Sequence, residues 1–176
     1  IELNHQVDSR MLSTVNWDHY QLSSIHEPCP ADVPTKVLVN HDWLISSTNE
    51  DCRRQGVGAV KNSIHLAAER SAPVVVVHCG NVTTDTELEN KLRGLFKKGE
   101  AQSAEYQKYQ AEIAQARFAL AAPRLDAVKR SLAELLNYAA AYHIQLGLEN
   151  RYHYMDIPIQ DEMEELLGLA NPDHLG

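Results

Sequence analysis

Four consecutive valines, Val74–Val77, constrain the fold of this chain more than any other feature of its sequence. β-Branched side chains favour strands, and a run without alternating polar residues indicates a strand that is buried on both faces. Such strands are typical of parallel sheets with both faces covered. Pro73 precedes the run and His78 follows it. We therefore predict a buried strand of a parallel sheet that ends at a histidine.

Strand-like and helix-like segments alternate along the rest of the chain. Further strands are predicted at 1–3, 22–26 and 143–149, and helices from 48 onward and at 86–98, 101–142 and 161–169. Residues 36–46 fit either another extended segment or part of a long loop. Pro123 is expected to kink or break the longest helical segment. A strand–helix order repeated about four times predicts an α/β fold with a parallel sheet.

Three of the predicted strands end on a side chain that can bind a metal ion. His26 follows SSI, His78 follows the valine run, and Glu149 follows LGL. Because the carboxyl ends of parallel strands form one functional edge, these side chains can meet in a single site. Two imidazoles and a carboxylate suit a divalent ion such as zinc or manganese, with magnesium or cobalt as alternatives. The sequence thus predicts a metal centre formed by these three residues.

Four residues that lie close to these ligands in the sequence carry side chains that can bind a metal ion or a substrate. Glu27 and Cys79 directly follow the two histidines, and the alternation of side chains along a strand places them on the opposite face. Asn150 and His153 follow Glu149 and are predicted substrate contacts. The alternatives are an ordinary turn residue for Asn150 and a solvated or hydrogen-bonded histidine for His153.

The length and net charge of the chain limit the number of domains it can form and the kinds of partner it can bind. A chain of 176 residues with net charge −8 is expected to form one domain, residues 1–176, and its acidity disfavours general binding to nucleic acids or anionic membranes. Three cysteines without a CxxC pair indicate a reduced, cytoplasmic protein. No apolar run is long enough to cross a membrane, and the N-terminus lacks the pattern of a signal peptide.

Three runs, SSIHEPCP, APVVVVHCG and LGLEN in that order, resemble the xylose-isomerase-like barrel superfamily. That superfamily includes sugar-phosphate isomerases and epimerases, together with endonuclease IV-type repair enzymes. Residues 52–72 and 131–142 also look like the helices that precede its strands with the second histidine and the glutamate. The resemblance implies a (β/α) barrel of TIM type. It also implies that His26, His78 and Glu149 match metal-ligand positions of the endonuclease IV-type branch, and that Glu149 matches the ligand and acid/base carboxylate of epimerases.

The resemblance further implies an incomplete barrel. The superfamily's next ligand strand, which carries an aspartate and a histidine, is expected just after residues 173–176, and a full barrel takes ~250 residues. We expect about four βα units, similar to the second to fifth of eight and truncated at both ends. A second copy of the chain could cover the open sheet edges.

Three functional hypotheses follow. The first is a metal-dependent sugar-phosphate isomerase or epimerase, in which Glu149 helps to move a proton at the carbon next to a metal-polarised carbonyl of a sugar or sugar phosphate. The second is an endonuclease IV-like phosphodiesterase that acts on abasic DNA, which the acidic balance disfavours. The third is a non-catalytic, truncated barrel. Enzymatic activity is expected of the full-length protein, whereas activity of these residues alone stays open because further ligands are missing.

Overall fold

A parallel sheet forms the centre of the protein. The computed structural model describes residues 1–83 and 85–176. Its open sheet has the order β1-β2-β3-β4 and consists of β1 (Glu2–Leu3), β2 (Ser24–His26), β3 (Val74–Val77) and β4 (Gln145–Leu148), with each neighbouring pair parallel. Ile25 pairs with Val75, and Val75 pairs with Leu146. This register brings the carboxyl ends of β2, β3 and β4 to one edge.

Helices connect the strands and cover one face of the sheet. They are α1 (Ser9–Thr14), α2 (Thr35–Asn40), α3 (Glu50–Glu69), α4 (Glu87–Lys97), α5 (Ala104–Ala141) and α6 (Gln160–Leu167), with a short 3-10 turn at Trp17–His19. The N-terminus of α3 is capped as its sequence predicts. Asn49 accepts hydrogen bonds from the backbone N–H groups of Asp51 and Cys52 at 3.0 and 3.1 Å, which satisfies two donors that the helix leaves free.

The core lies between the sheet and helices α3 and α5. Val75 and Val77 are fully buried there, together with Ile64 of α3 and Leu132 of α5. The alternate valines of β3 are only half-buried, so the prediction of burial on both faces holds for one face only. In the described residues, no second layer covers the other face of the sheet to the extent that the helices cover the first. The side chains of His26 and His78 share the half-buried face, because they continue its alternation.

Two local predictions differ from the structure. Residues 36–46 are neither a strand nor simply a loop, because α2 occupies Thr35–Asn40. Pro34 precedes it with φ −59°, a value suited to helix entry, and Leu38 is buried against the core. Pro123 does not break α5, which continues through it. Pro123 and Ala119, whose carbonyl loses its partner, are exposed, so water can satisfy that carbonyl.

The last residues of the chain extend the sheet beyond β4. Leu175 forms a parallel bridge with Leu146, and the N–H of Leu148 donates to the carbonyl of Gly176 at 2.7 Å. Residues 174–176 therefore lie where a fifth parallel strand would pair. Within the described part of the chain, no helix is both long and apolar enough to span a membrane, α5 included.

Candidate metal centre

Three potential ligand atoms converge at the carboxyl edge of the sheet. His26 ends β2, and His78 and Glu149 directly follow β3 and β4. The two Nε2 atoms lie 2.9 Å apart, and Oε2 of Glu149 lies 3.1 Å from Nε2 of His26 and 3.8 Å from Nε2 of His78. The side chains of His26 and His78 are 19% and 20% exposed, and that of Glu149 is 42% exposed. The strand-end residues thus meet as their positions predict, with one side open to solvent.

The spacing of these atoms fits one small divalent ion. The three distances describe a triangle whose centre is about 1.9 Å from each corner, slightly less than the ~2.0–2.2 Å of zinc bonds to nitrogen and oxygen. His26, His78 and Glu149 would therefore be able to hold one small divalent ion between them. In the described residues, this is the only group of three or more histidine, cysteine, aspartate or glutamate side chains close enough to hold an ion.

Each imidazole has a carboxylate on the side away from the convergence point. Nδ1 of His26 lies 3.4 Å from Oε1 of Glu2, and Nδ1 of His78 lies 3.5 Å from Oε1 of Glu27. A carboxylate there favours the proton on Nδ1, which leaves the Nε2 lone pair available to a metal. The hydroxyl of Ser24 donates to Glu2 at 2.7 Å, and this hydrogen bond lowers the pKa of Glu2 despite partial burial. Glu2 therefore remains ionised beside His26.

Glu27 is the site residue that sequence reasoning missed. As strand alternation predicts, it lies on the face opposite His26, but from there its Oε1 accepts the backbone N–H of His78 at 3.0 Å. The residue is only 8% exposed. Its single sequence signal is its position directly after a strand-end histidine, and alternation alone does not show that it reaches the next strand.

The same three atoms can share a proton when no ion is bound. At 2.9 Å between the Nε2 atoms, an imidazole protonated at Nε2 can donate to its neighbour. Oε2 of Glu149 is also within reach of Nε2 of His26. The arrangement therefore suits either a divalent cation or a proton, because either one would reduce the repulsion among the two Nε2 lone pairs and the carboxylate oxygen.

Cys79 does not belong to this centre. The residue is fully buried on the helix-covered face, and burial raises the pKa of its thiol far above the ordinary value. A neutral thiol at that position is a packing group rather than a metal ligand.

The two predicted substrate contacts lie in the rim loop, residues 150–159, between β4 and α6. Asn150 is exposed. Nδ1 of His153 lies 2.8 Å from Oε1 of Glu89 on α4, and Glu89 also accepts from Arg93. Burial favours a higher pKa for Glu89, but the hydrogen bonds from Arg93 and His153 outweigh it and lower that pKa. His153 thus holds the rim loop to α4, and the substrate roles of Asn150 and His153 stay predictions.

A buried arginine fixes the middle of the rim loop. Arg117 of α5 is 3% exposed and donates to the backbone carbonyls of Tyr154 and Asp156. Its second guanidinium nitrogen pairs with both oxygens of Glu162 at 2.7 and 2.6 Å. The side chain of Arg117 therefore satisfies three acceptor groups, which are the carboxylate of Glu162 and the two backbone carbonyls. The loop beside the metal centre is therefore anchored to α5 as well as α4.

Comparisons with known proteins identify the fold. No protein-family model matches the sequence, and neither does any curated protein. A solved structure of a D-tagatose 3-epimerase-like protein aligns with 99% of this chain at a TM-score of 0.62 and 20% identity. An L-ribulose 3-epimerase structure aligns with 99% at a TM-score of 0.53 and 13% identity. This chain spans 53% and 58% of those two proteins. The likeness confirms the predicted fold, an α/β parallel sheet that matches part of a TIM-type barrel.

Proposed function

We propose that this chain provides the metal-binding edge of a metal-dependent sugar isomerase or epimerase. The observation that carries the proposal is the convergence of two imidazole nitrogens and a carboxylate oxygen within 2.9–3.8 Å from three successive strand ends. The carboxyl edge of parallel strands is where barrel enzymes hold their active sites. The two structures of similar fold are described as epimerases or epimerase-like, which supports a small sugar as the substrate.

The chemistry follows from the residues at this edge. A bound zinc or manganese ion would supply Lewis acidity to polarise a sugar carbonyl. His26 and His78 hold their Nε2 lone pairs toward one point, since Glu2 and Glu27 face their Nδ1 atoms. Glu149 directs Oε2 to the same point, while its Oε1 makes no hydrogen bond among the described residues. We assign to Oε1 the transfer of the proton at the carbon beside the carbonyl.

Inversion at carbon needs a second proton-transfer group on the other face of the substrate. This chain spans just over half the length of the two epimerase-type structures. We assign the second group to the part of the barrel that lies outside this span. We therefore assign metal binding to the residues of this chain, and complete turnover to these residues together with the rest of the barrel.

Metal content tests the site directly. Purified protein loaded with zinc or manganese is expected to retain about one ion per chain after desalting, and the double variant His26→Ala/His78→Ala is expected to retain none. His65→Ala is the matched control, because His65 is an exposed histidine on α3. Equal metal content in the wild type and the double variant would refute the site.

Exchange of carbon-bound hydrogen tests the reaction. Metal-loaded protein is incubated with D-tagatose or L-ribulose in D₂O, and NMR follows deuterium incorporation beside the carbonyl. Incorporation that Glu149→Gln abolishes is expected, because one proton transfer suffices for exchange. Absence of exchange in metal-loaded protein would refute the isomerase or epimerase function.

A phosphodiesterase acting on abasic DNA is the second candidate. The observation that favours it is the pair of histidines, which in the resemblance match ligand positions of the endonuclease IV-type branch. The net charge of −8 opposes it, since DNA binding draws on basic surface. Cleavage of an abasic-site duplex without hydrogen exchange in sugars would favour this candidate. A metal-loaded chain inactive in both assays would favour a non-catalytic barrel.

A further inference from the structure

The loop after β3 and the rim loop pair with each other as a short antiparallel ladder. The N–H of Val82 donates to the carbonyl of Met155 at 2.7 Å, and the N–H of Ile157 donates to the carbonyl of Gly80 at 3.0 Å. We call the paired segments, residues 80–82 and 155–157, the loop clasp. The clasp joins two loops that come from neighbouring strands of the sheet.

The loop clasp is packed into the core. Val82, Met155 and Ile157 are all buried and belong to the main hydrophobic cluster. Arg117 holds the rim-loop half from its other edge, because it donates to the carbonyls on either side of Met155. Buried backbone hydrogen bonds have no water to replace them, so breaking them is costly. The clasp therefore fixes the two loops relative to each other.

Two of the three candidate ligands lie between the sheet and the loop clasp. His78 follows β3 and precedes one half of the clasp, and Glu149 follows β4 and precedes the other half. At the end of the sheet, the N–H of Glu149 donates to the carbonyl of Val77 at 3.3 Å. The backbone on each side of the two ligands is therefore held, by the sheet before them and by the clasp after them. A ligand held in this way has less freedom to turn away from the convergence point.

Gly80 is the position in the loop clasp that has no room for a side chain. Its φ is +91°, a backbone conformation that favours glycine. A Cβ there would collide with Oγ of Ser46 and lie 3.2 Å from Cβ of Ser46. Ser46 is fully buried, and its hydroxyl donates to the carbonyl of Asn81 at 3.4 Å, so the serine has little room to move aside. A side chain at position 80 is therefore expected to displace the loop and the carbonyl that Ile157 contacts.

We propose that Gly80 is a positioning residue for the candidate metal centre. Its conformation lets the loop after β3 pass Ser46 and enter the clasp, and the clasp maintains the 3.8 Å separation between Nε2 of His78 and Oε2 of Glu149. Binding sites need their side chains within ~0.5 Å of the productive geometry, so a small shift of the loop is enough to weaken binding. This inference rests on the metal binding of the proposed function and adds a residue that acts through His78.

The zinc affinity of Gly80→Ala tests the proposal. Competition with a chromogenic chelator measures the affinity of the folded full chain, at a temperature well below its unfolding. The affinity is expected to fall by about tenfold or more, as for other residues that orient ligands. Gly99→Ala is the matched control, because Gly99 also has a positive φ, +79°, but lies at an exposed position where a Cβ would meet open space. Gly99→Ala should lose stability and keep the wild-type affinity, and an equally unchanged affinity in Gly80→Ala would refute the proposal.

The absorption spectrum of cobalt-substituted protein shows whether the ligands have moved. The visible bands of cobalt depend on the geometry of its ligands, so Gly80→Ala is expected to change them and Gly99→Ala to leave them unchanged. Adding Ser46→Ala to Gly80→Ala removes the oxygen that the new Cβ would meet, and should restore part of the affinity and of the wild-type spectrum. A wild-type spectrum in Gly80→Ala alone would refute the proposal.

Amide hydrogen exchange tests the same coupling without any substitution. Because coupling between two sites is reciprocal, a clasp that favours zinc binding must itself be stabilised by zinc. Zinc is expected to slow the exchange of the N–H groups of Val82 and Ile157 by about tenfold or more. The N–H of Ile144, which donates to the carbonyl of Ala139 at the opposite end of β4, is the control and should be slowed less. Equal slowing at all three N–H groups, or none, would refute the proposal.

The outcomes separate this inference from the proposed function. Weaker zinc binding in Gly80→Ala, in a chain whose wild type exchanges no carbon-bound hydrogen of a sugar, would support the inference and refute the isomerase or epimerase function. Hydrogen exchange in sugars, together with zinc binding that Gly80→Ala leaves unchanged, would support the function and refute the inference. A wild-type chain that binds no zinc or manganese would refute both.

Discussion

Glu27 contacts His78 twice through one oxygen: Oε1 accepts the backbone N–H at 3.0 Å and lies 3.5 Å from Nδ1 of the imidazole. The first contact fixes the carboxylate on the edge of β3. The second favours a proton on Nδ1 and turns Nε2 toward His26 and Glu149. Glu27 is thus a positioning residue for the candidate metal centre, although it contributes no ligand atom to the convergence point.

Replacement of Glu27 should therefore weaken metal binding. Glu27→Gln is expected to reduce zinc affinity by about 10–100-fold, the usual effect of removing a carboxylate that orients a histidine ligand. Competition with a chromogenic chelator measures the affinity. Glu69→Gln is the matched control, since Glu69 faces Nδ1 of His65 at the same 3.5 Å on the exposed side of α3. Equal affinities for the Glu27 variant and the wild type would show that Glu27 does not orient His78.

Arg117 should be essential for stability. Arg117→Met removes one partner of a buried ion pair and leaves Glu162 without its cation, which is expected to lower the free energy of unfolding by about 3–5 kcal/mol. Urea unfolding followed by circular dichroism measures the change. Arg117→Met/Glu162→Gln should recover part of the loss, since the unpaired charge is gone. Arg54→Ala breaks a pair on the surface of α3 and should change stability by less than about 1 kcal/mol; a comparable loss there would contradict the role of burial.

Two glycines of α3 should respond in opposite ways to alanine. A Cβ at Gly56 would collide with the backbone carbonyl carbon of Leu44 and lie 2.7 Å from the backbone nitrogen of Ile45, whereas one at Gly58 would meet open space. Gly56→Ala is expected to destabilise the protein by about 1–3 kcal/mol through overpacking. Gly58→Ala should stabilise it by about 0.5–1 kcal/mol through helix propensity. Thermal and urea unfolding of both variants check this, and equal effects would show that α3 and the Leu44 backbone do not pack this closely.

Asp156 should make stability depend on pH. Because burial raises its pKa in the folded protein above the ordinary 3.8, the folded state binds the proton more tightly, and this residue destabilises the fold as pH rises through the folded pKa. Asp156→Asn is therefore expected to be more stable than the wild type near neutrality, with the difference shrinking as pH falls toward 3.8. Urea unfolding across about pH 4–8 measures the difference. Asp161→Asn, at an exposed acid on α6, is the matched control, and a pH-independent difference for Asp156→Asn would contradict the prediction.

The sheet and the ligand triangle were predictable because their signals are local. The valine run specifies β3 without reference to the rest of the chain. Once the strands are parallel, His26, His78 and Glu149 come to one face near the same edge. Ile25, Val75 and Leu146 are aligned; His26 stands one residue after Ile25, whereas His78 and Glu149 stand three residues after Val75 and Leu146, and an odd number of steps leads to the same face of the sheet. Strand order and register therefore make residues that follow different strands in the sequence neighbours at one site in the structure.

The contacts around the triangle depend on distant segments and were not predictable. Glu27 reaches His78 across a strand boundary, and strand alternation describes only the direction in which it leaves β2. Arg117 lies 45 residues from Glu162, in a helix whose sequence gives no sign that one arginine is buried. α2 was missed because a helix of six residues, with Val-Leu-Val as its apolar run, is too short to show a periodicity that distinguishes it from a strand.

The length of α5 links the rim loop to the sheet. Its 38 residues extend ~57 Å at ~1.5 Å per residue. The helix packs on α4 as well as on α3 and β4, and Arg117, in its first half, grips the loop that follows β4. Because α5 packs on α4 and also holds the rim loop, these three segments are expected to move together. A shift of the rim loop away from the candidate site would therefore be accompanied by a shift of α4 and α5.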